Sequence, residues 1–118
     1  MPIAAALLLC FAIDGDTLRC GPGGRERVRL IGIDAPEMPG HCRVGRDCAP
    51  GDPWQAKRNL TFLVQGRKVR LERHGQDAYG RTLAFAFAGG QNLSCQQLRG
   101  GFALYVARWD FGGQIGRC

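Results

Sequence analysis

Four acidic residues stand where apolar runs of the chain end: Asp14, Asp16, Asp34 and Glu37. Asp14-Gly15-Asp16-Thr17 sets two carboxylates around a glycine, between a first and a second predicted strand. Asp34 and Glu37 close the run Arg29-Leu30-Ile31-Gly32-Ile33. Two carboxylates brought close repel unless a cation lies between them, so convergence of Asp16 and Asp34 would make a cation site. Oxygen donors of this kind suit calcium or magnesium. The spacing is not that of an EF-hand, because Leu18 stands where another ligand is needed. Taken alone, an Asp-Gly pair is first of all a turn.

Arginines extend the set. Arg29 shares strand parity with Ile31 and Ile33, and Arg81 directly follows Asp77-Ala78-Tyr79-Gly80 in a second turn. A metal, two arginines and a free carboxylate are a coherent set for cleaving a phosphodiester. The cations offset charge developing on phosphorus. Glu37 would orient or deprotonate the attacking water, and Tyr79 would hydrogen-bond a phosphate. Viewed singly, Arg29 reads as an ion-pair partner of Asp34 or Glu37, and Arg81 as a surface charge on a hairpin.

These residues need a scaffold. The chain has 118 residues, 45% of them hydrophobic, which fits one globular domain over 1–118 and argues against disorder. Its formal charge of +6 is nearly all arginine, with Lys57 and Lys68 the lysines. Arginine forms bidentate contacts with phosphate, so the balance suggests a polyanionic partner such as nucleic acid. Six cysteines point to disulfides and an extracytoplasmic location, secreted or periplasmic. Cys42 and Cys48 close a small loop and are the easiest pair to propose; the rest of the pairing stays open. Zinc, with His41-Cys42 and Cys48 as partial ligands, is the lesser reading, because no C-x-x-C pair is present. The apolar stretch 3–13 is too short to span a bilayer. Residues 1–13 read as a signal remnant or as a first strand.

Residues 4–13 and the stretch beginning at Thr17 read as strands. Gly21-Pro22-Gly23-Gly24 is a turn, and 25–33 alternates like a half-buried strand. The segment 36–53 is a long loop rich in Pro, Gly and charge, which a Cys42–Cys48 bridge would staple. A helix follows, with Asp52 as N-cap, Pro53 as first residue and Ala56, Leu60, Leu63 and Val64 on its apolar face; Trp54 is expected to pack in its first turn. Strands are expected over 67–73 and 81–88, the second with Leu83, Phe85 and Phe87 on one face. Ser94 and Gln97 form a capping-box pattern for a short helix that ends at Gly100-Gly101. Residues 102–109 are a last apolar run, and the tail 110–118 has little pattern. Short strands around one helix fit a small closed barrel of the OB type.

The blocks Ile13–Leu18, Val28–Glu37 and Asp77–Phe85 resemble, in order and spacing, three signatures of the staphylococcal nuclease-like family. The resemblance runs from about residue 11 to about residue 106. It implies an α+β fold, mainly β: a five-stranded OB-type Greek-key barrel with helices. It also implies calcium-dependent hydrolysis of DNA and RNA to 3′-phosphate products by a monomer that needs no membrane. By position, Asp16 and Asp34 would bind calcium with the backbone carbonyl of Ala35. Glu37 would act on water, Arg29 and Arg81 on the phosphate, and Tyr79 and Asp77 on the substrate. There are departures. A lysine of the staphylococcal enzyme is Ala78 here, and a second substrate tyrosine is Ala107. The family's C-terminal helix has no counterpart before Cys118, whose disulfide would anchor the tail instead. The alternative reading is a non-catalytic nucleic-acid-binding module of the same fold.

Overall fold

The computed structural model describes residues 7–118. Part of the expected first strand, residues 4–6, lies outside the described residues. The fold is mixed α+β and mainly strand. β1 (Leu7–Leu8) and β2 (Cys10–Ala12) are followed by β3 (Thr17–Cys20), a single 3-10 turn over Pro22–Gly24, and β4 (Glu26–Leu30). β5 (Ile33–Asp34), α1 (Pro53–Val64), β6 (Val69–Gln76) and β7 (Thr82–Ala88) come next. β8 (Gln91–Asn92), α2 (Leu93–Arg99) and β9 (Leu104–Tyr105) complete the regular elements. Beyond them the chain makes 3-10 turns over Ala107–Trp109, Phe111–Gly113 and Ile115–Arg117.

The main sheet runs β1-β6-β7-β4-β3-β2, with β8 also paired to β7; β5 and β9 form a separate two-stranded sheet. Among the described residues the hydrogen-bonded path is open, with β1 and β2 at its two ends. Those two strands are separated in sequence by Leu9 alone. Register brings the three sequence blocks together. Thr17 pairs antiparallel with Arg29, and Arg29 pairs with Leu83 across the parallel β4–β7 ladder. The strand expected over 25–33 is divided: Gly32, at φ +84°, turns the chain between β4 and β5. A Cβ on Gly32 would lie 2.8 Å from Ile115 of the tail, so close packing requires glycine there as well.

Leu18, Val28, Leu30, Ile33, Leu60, Val69, Phe85 and Ile115 are buried in one core. Along β7, Phe85 is buried, while Leu83 and Phe87 on the same parity are half-buried; Thr82, Ala84, Ala86 and Ala88, on the opposite parity, are buried too. This strand is covered on both faces, and small side chains admit the second layer. α1 starts as read: Asp52 Oδ1 accepts from Trp54 N at 2.9 Å, and Pro53 opens the helix. Trp54 itself is exposed, with the Lys57 ammonium 5.9 Å from its ring centre. β6 runs on through Gln76, so the expected turn shrinks to 77–80. The capping box is replaced by Asn92, whose side chain accepts from Ser94 N and Cys95 N. Ser94 instead donates its hydroxyl to Ile31 O at 2.8 Å. Gln97 donates to Gly15 O at 2.7 Å and to Ala56 O at 3.0 Å, because both side chains are fully buried and must satisfy distant carbonyls. Of the run 102–109, only Leu104–Tyr105 is strand.

Disulfides join Cys10 to Cys20, Cys42 to Cys48 and Cys95 to Cys118. The second and third match the staple and the tail anchor that the sequence suggests. Among the described residues no helix is long and apolar enough to cross a membrane.

Candidate active site

Arg29 is the centre of the site. β4 carries it into a position where only 8% of the residue is exposed. Its Nη1 donates to Leu30 O and Ile33 O, both at 2.9 Å, on either side of the break between β4 and β5. Its Nη2 lies 3.3 Å from Asp16 Oδ2 and 3.5 Å from Asp34 Oδ1. The ion pair read from the sequence therefore forms with Asp34, and with Asp16 rather than Glu37. The indole of Trp109 lies 5.4 Å from the guanidinium carbon.

The Asp14–Thr17 turn presents Asp16. Asp14 Oδ1 accepts from Asp16 N at 3.0 Å, and Thr17 Oγ1 donates to Asp16 Oδ1 at 3.1 Å. Asp16 Oδ2 accepts from Ala35 N at 2.8 Å, which fixes the end of β5 to the turn. Gly15 makes this junction possible by having no side chain. A Cβ there would lie 2.6 Å from Ala56 Cβ and 2.7 Å from Ala35 Cβ. Burial, then repulsion from Asp16, pushes the Asp14 carboxyl up to about 7. Asp34 is also raised, first by burial and then by Asp16, against the opposing pull of Arg29, Arg46 and Arg108. Asp34 Oδ1 is buried and makes no hydrogen bond among the described residues; its guanidinium neighbours there hold it by charge.

That unsatisfied oxygen, beside a second buried carboxylate, fits a hard divalent cation. Asp16 and Asp34 are the residues that would hold one, and water or backbone oxygen would have to complete the shell. Among the described residues no group of three or more His, Cys, Asp or Glu side chains has metal-binding geometry, so a cation would depend on those further oxygens.

On the third block, Asp77 organises the 77–80 turn. Its Oδ1 accepts from Tyr79 N at 2.9 Å and Arg81 N at 3.0 Å, and its Oδ2 accepts from Arg81 Nε at 2.7 Å. Burial pushes the Asp77 carboxyl up, but these bonds and the Arg81 charge outweigh it and hold the group below its ordinary value. Tyr79 is exposed; Arg27 donates to its carbonyl and Arg43 to its hydroxyl. Glu37 pairs with Arg46 at 3.1 Å.

A cleft of about 630 Å³ collects these groups: Asp16, Arg29, Glu37, Asp77, Tyr79 and Arg81 all line it. Asp34 and Ala35 do not line it, and are joined to it through Arg29, Arg46 and Asp16. Arg43 and Arg46 of the long loop, with Phe111 of the tail, also line the cleft and were not singled out as site residues from the sequence. No periodicity marks a loop arginine as facing inward. The nearby Cys42–Cys48 pair was the available signal. Arg108 and Trp109, which directly follow Ala107, line the cleft as well. Tyr105 does not, and donates its hydroxyl to Asp110 instead.

A family model described as staphylococcal nuclease homologue matches residues 27–114. The chain belongs to the staphylococcal nuclease-like family. It is 39% identical over 92 residues to an uncharacterized endonuclease of Haemophilus influenzae, a match covering 76% of this chain and 46% of that protein. It is 38% identical over 96 residues to the thermonuclease of Staphylococcus intermedius, covering 77% and 54%. A probable endonuclease of Coccidioides posadasii is 36% identical over 94 residues, covering 73% and 29%. The chain thus spans about half the length of the first two relatives or less of the third.

Proposed function

We propose that this chain is a calcium-dependent phosphodiesterase that hydrolyses DNA and RNA with little sugar specificity and releases 3′-phosphate products. The observation that carries the reading is Arg29 locked between Asp16 and Asp34 on the cleft that also holds Glu37 and Arg81. Asp16 and Asp34, with the carbonyl of Ala35, would hold the cation, which supplies Lewis-acid polarisation of the phosphoryl group. The chain's own residues do the rest. Glu37 accepts a proton from the attacking water. Arg29 and Arg81 bind the non-bridging oxygens and stabilise their growing charge as the 5′-oxygen leaves. The Asp77 bond to Arg81 Nε fixes that guanidinium, so little reorganisation is needed. Tyr79 contacts a neighbouring phosphate.

The endonuclease and thermonuclease names of the relatives support this assignment. The family also supports an OB-type reading of the sheet. In it, β1 and β2 act as one bent strand, and together with β3, β4, β6 and β7 they form a five-stranded barrel within a single domain. Three disulfides support an oxidising, extracytoplasmic compartment. The domain acts as a monomer.

The test is digestion of single-stranded DNA and of RNA with calcium, with a chelator, and with Glu37→Gln. Expected are cleavage of both polymers with calcium, none with chelator, and a loss on the order of a thousandfold in the variant. Absence of calcium-dependent cleavage by the wild type overturns the reading. Binding without cleavage selects a nucleic-acid-binding module.

A further inference from the structure

Between Asp34 and α1 lies an exposed loop in which the Cys42–Cys48 bond closes residues 42–48. Within it Arg46 N donates to Arg43 O at 3.0 Å across a turn that uses Gly45 at φ +83°. The closed segment directs Arg46 back onto the site. One guanidinium nitrogen lies 3.5 Å from Asp34 Oδ1 and the other 3.1 Å from Glu37 Oε1. The same Asp34 oxygen lies 3.5 Å from Arg29 and is hydrogen-bonded to neither arginine. The two arginines are not equivalent. The Arg29 side chain is 10% exposed, and two backbone carbonyls fix its Nη1. The Arg46 side chain is 41% exposed, and among the described residues its guanidinium pairs only with these two carboxylates. Arg46 is the one that can leave.

We propose that Arg46, held in place by the Cys42–Cys48 loop, is an internal counter-cation that keeps Asp34 and Glu37 in position without metal and competes with a divalent cation for Asp34. The proposal rests on the reading above that Asp16 and Asp34 take such a cation. The disulfide matters because a short closed loop has few conformations, so returning Arg46 to the carboxylates costs little entropy. An ion pair with one partner this exposed is weak, so displacing it costs the cation about three- to fivefold in affinity.

Calorimetric titration of calcium chloride into the nucleic-acid-free, oxidised protein tests this. Arg46→Gln is expected to bind calcium about three- to fivefold more tightly than wild type. The double variant Cys42→Ser/Cys48→Ser, which keeps every charge, should bind about twofold more tightly. Arg108→Gln removes the same charge from a cleft residue that pairs with no carboxylate among the described residues, and should shift the affinity less than Arg46→Gln does. Unchanged or weaker binding in either loop variant overturns the proposal, and so does an Arg108→Gln shift as large as that of Arg46→Gln. If wild type and variants all fail to bind calcium, the cation reading falls and this inference with it. If wild type binds and the loop variants match it, the inference alone falls.

Discussion

Arg29 shows why the site is also a stability element. Two buried carboxylates cost folding free energy unless a positive charge faces both, and Arg29 is the buried group that does so. Arg29→Gln removes the charge while keeping most of the volume. It should destabilise the calcium-free protein by about 3 kcal/mol, because Asp16 and Asp34 are then left uncompensated. Urea unfolding with chelator measures that loss, and added calcium should recover part of it by binding only the folded form. A variant as stable as wild type would show that the carboxylates need no counter-charge. The types at Asp16, Arg29, Asp34, Glu37 and Arg81 were legible in the sequence, since their chemistry is local and their blocks are ordered. Arg46 was not. Its role comes from where a loop lies in space, and neither periodicity nor spacing encodes that.

Elements deliver these residues through contacts of differing legibility. The start of α1 could be read because Asp52 and Pro53 act on their own neighbours. The cap of α2 is Asn92 rather than Ser94, because Ser94 and Gln97 answer carbonyls of Ile31, Gly15 and Ala56, far away in sequence. In sequence Gly15 reads as a turn residue; the structure makes it a spacer between the Asp16 turn, α1 and Ala35 just after β5. Gly15→Ala should therefore cost about 1–3 kcal/mol by overpacking and displace Asp16, lowering calcium affinity as well as the unfolding midpoint. Stability loss with unaltered calcium binding would separate the spacer from the site. Asp110 is a second hidden junction, accepting from Tyr105 Oη, Ile115 N and Gly116 N at 2.8, 3.0 and 2.9 Å. Burial raises its carboxyl, but these bonds outweigh burial and hold it below the ordinary value. A depressed folded value means the charged form favours folding. Its contribution is complete above about pH 4 and is lost as pH falls through the folded value. Asp110→Asn should lower the midpoint at neutral pH and flatten the acid limb of the stability curve. Parallel acid limbs would rule Asp110 out as a source of the pH dependence.

At the scale of the whole molecule, the patternless tail proves to be structural. Ile115 is buried against Gly32, Val106 N donates to Gly32 O at 2.9 Å, and Cys118 is bonded to Cys95 on α2. The tail could not be read because it has one core residue and no repeat; only the cysteine announced it. Its path also bears on the cleft, since Trp109 and Phe111 reach the lining on the way to Cys118. Removing the bond with Cys95→Ser/Cys118→Ser reopens a loop of sequence separation 23, worth about 3 kcal/mol in the chain-entropy account. The groups proposed for chemistry sit on the Asp14–Thr17 turn, on β4, on β5 and the residues just after it, and on the stretch 77–81 before β7, none of them in the tail. Untying the tail should therefore lower thermal stability and raise KM for a polynucleotide several-fold, while kcat at temperatures where the variant stays folded changes little. The contrast is informative, because a tail that merely stabilises would leave KM untouched as well. A fall in kcat with constant KM would instead place the tail's influence on Arg29, which Trp109 covers at 5.4 Å.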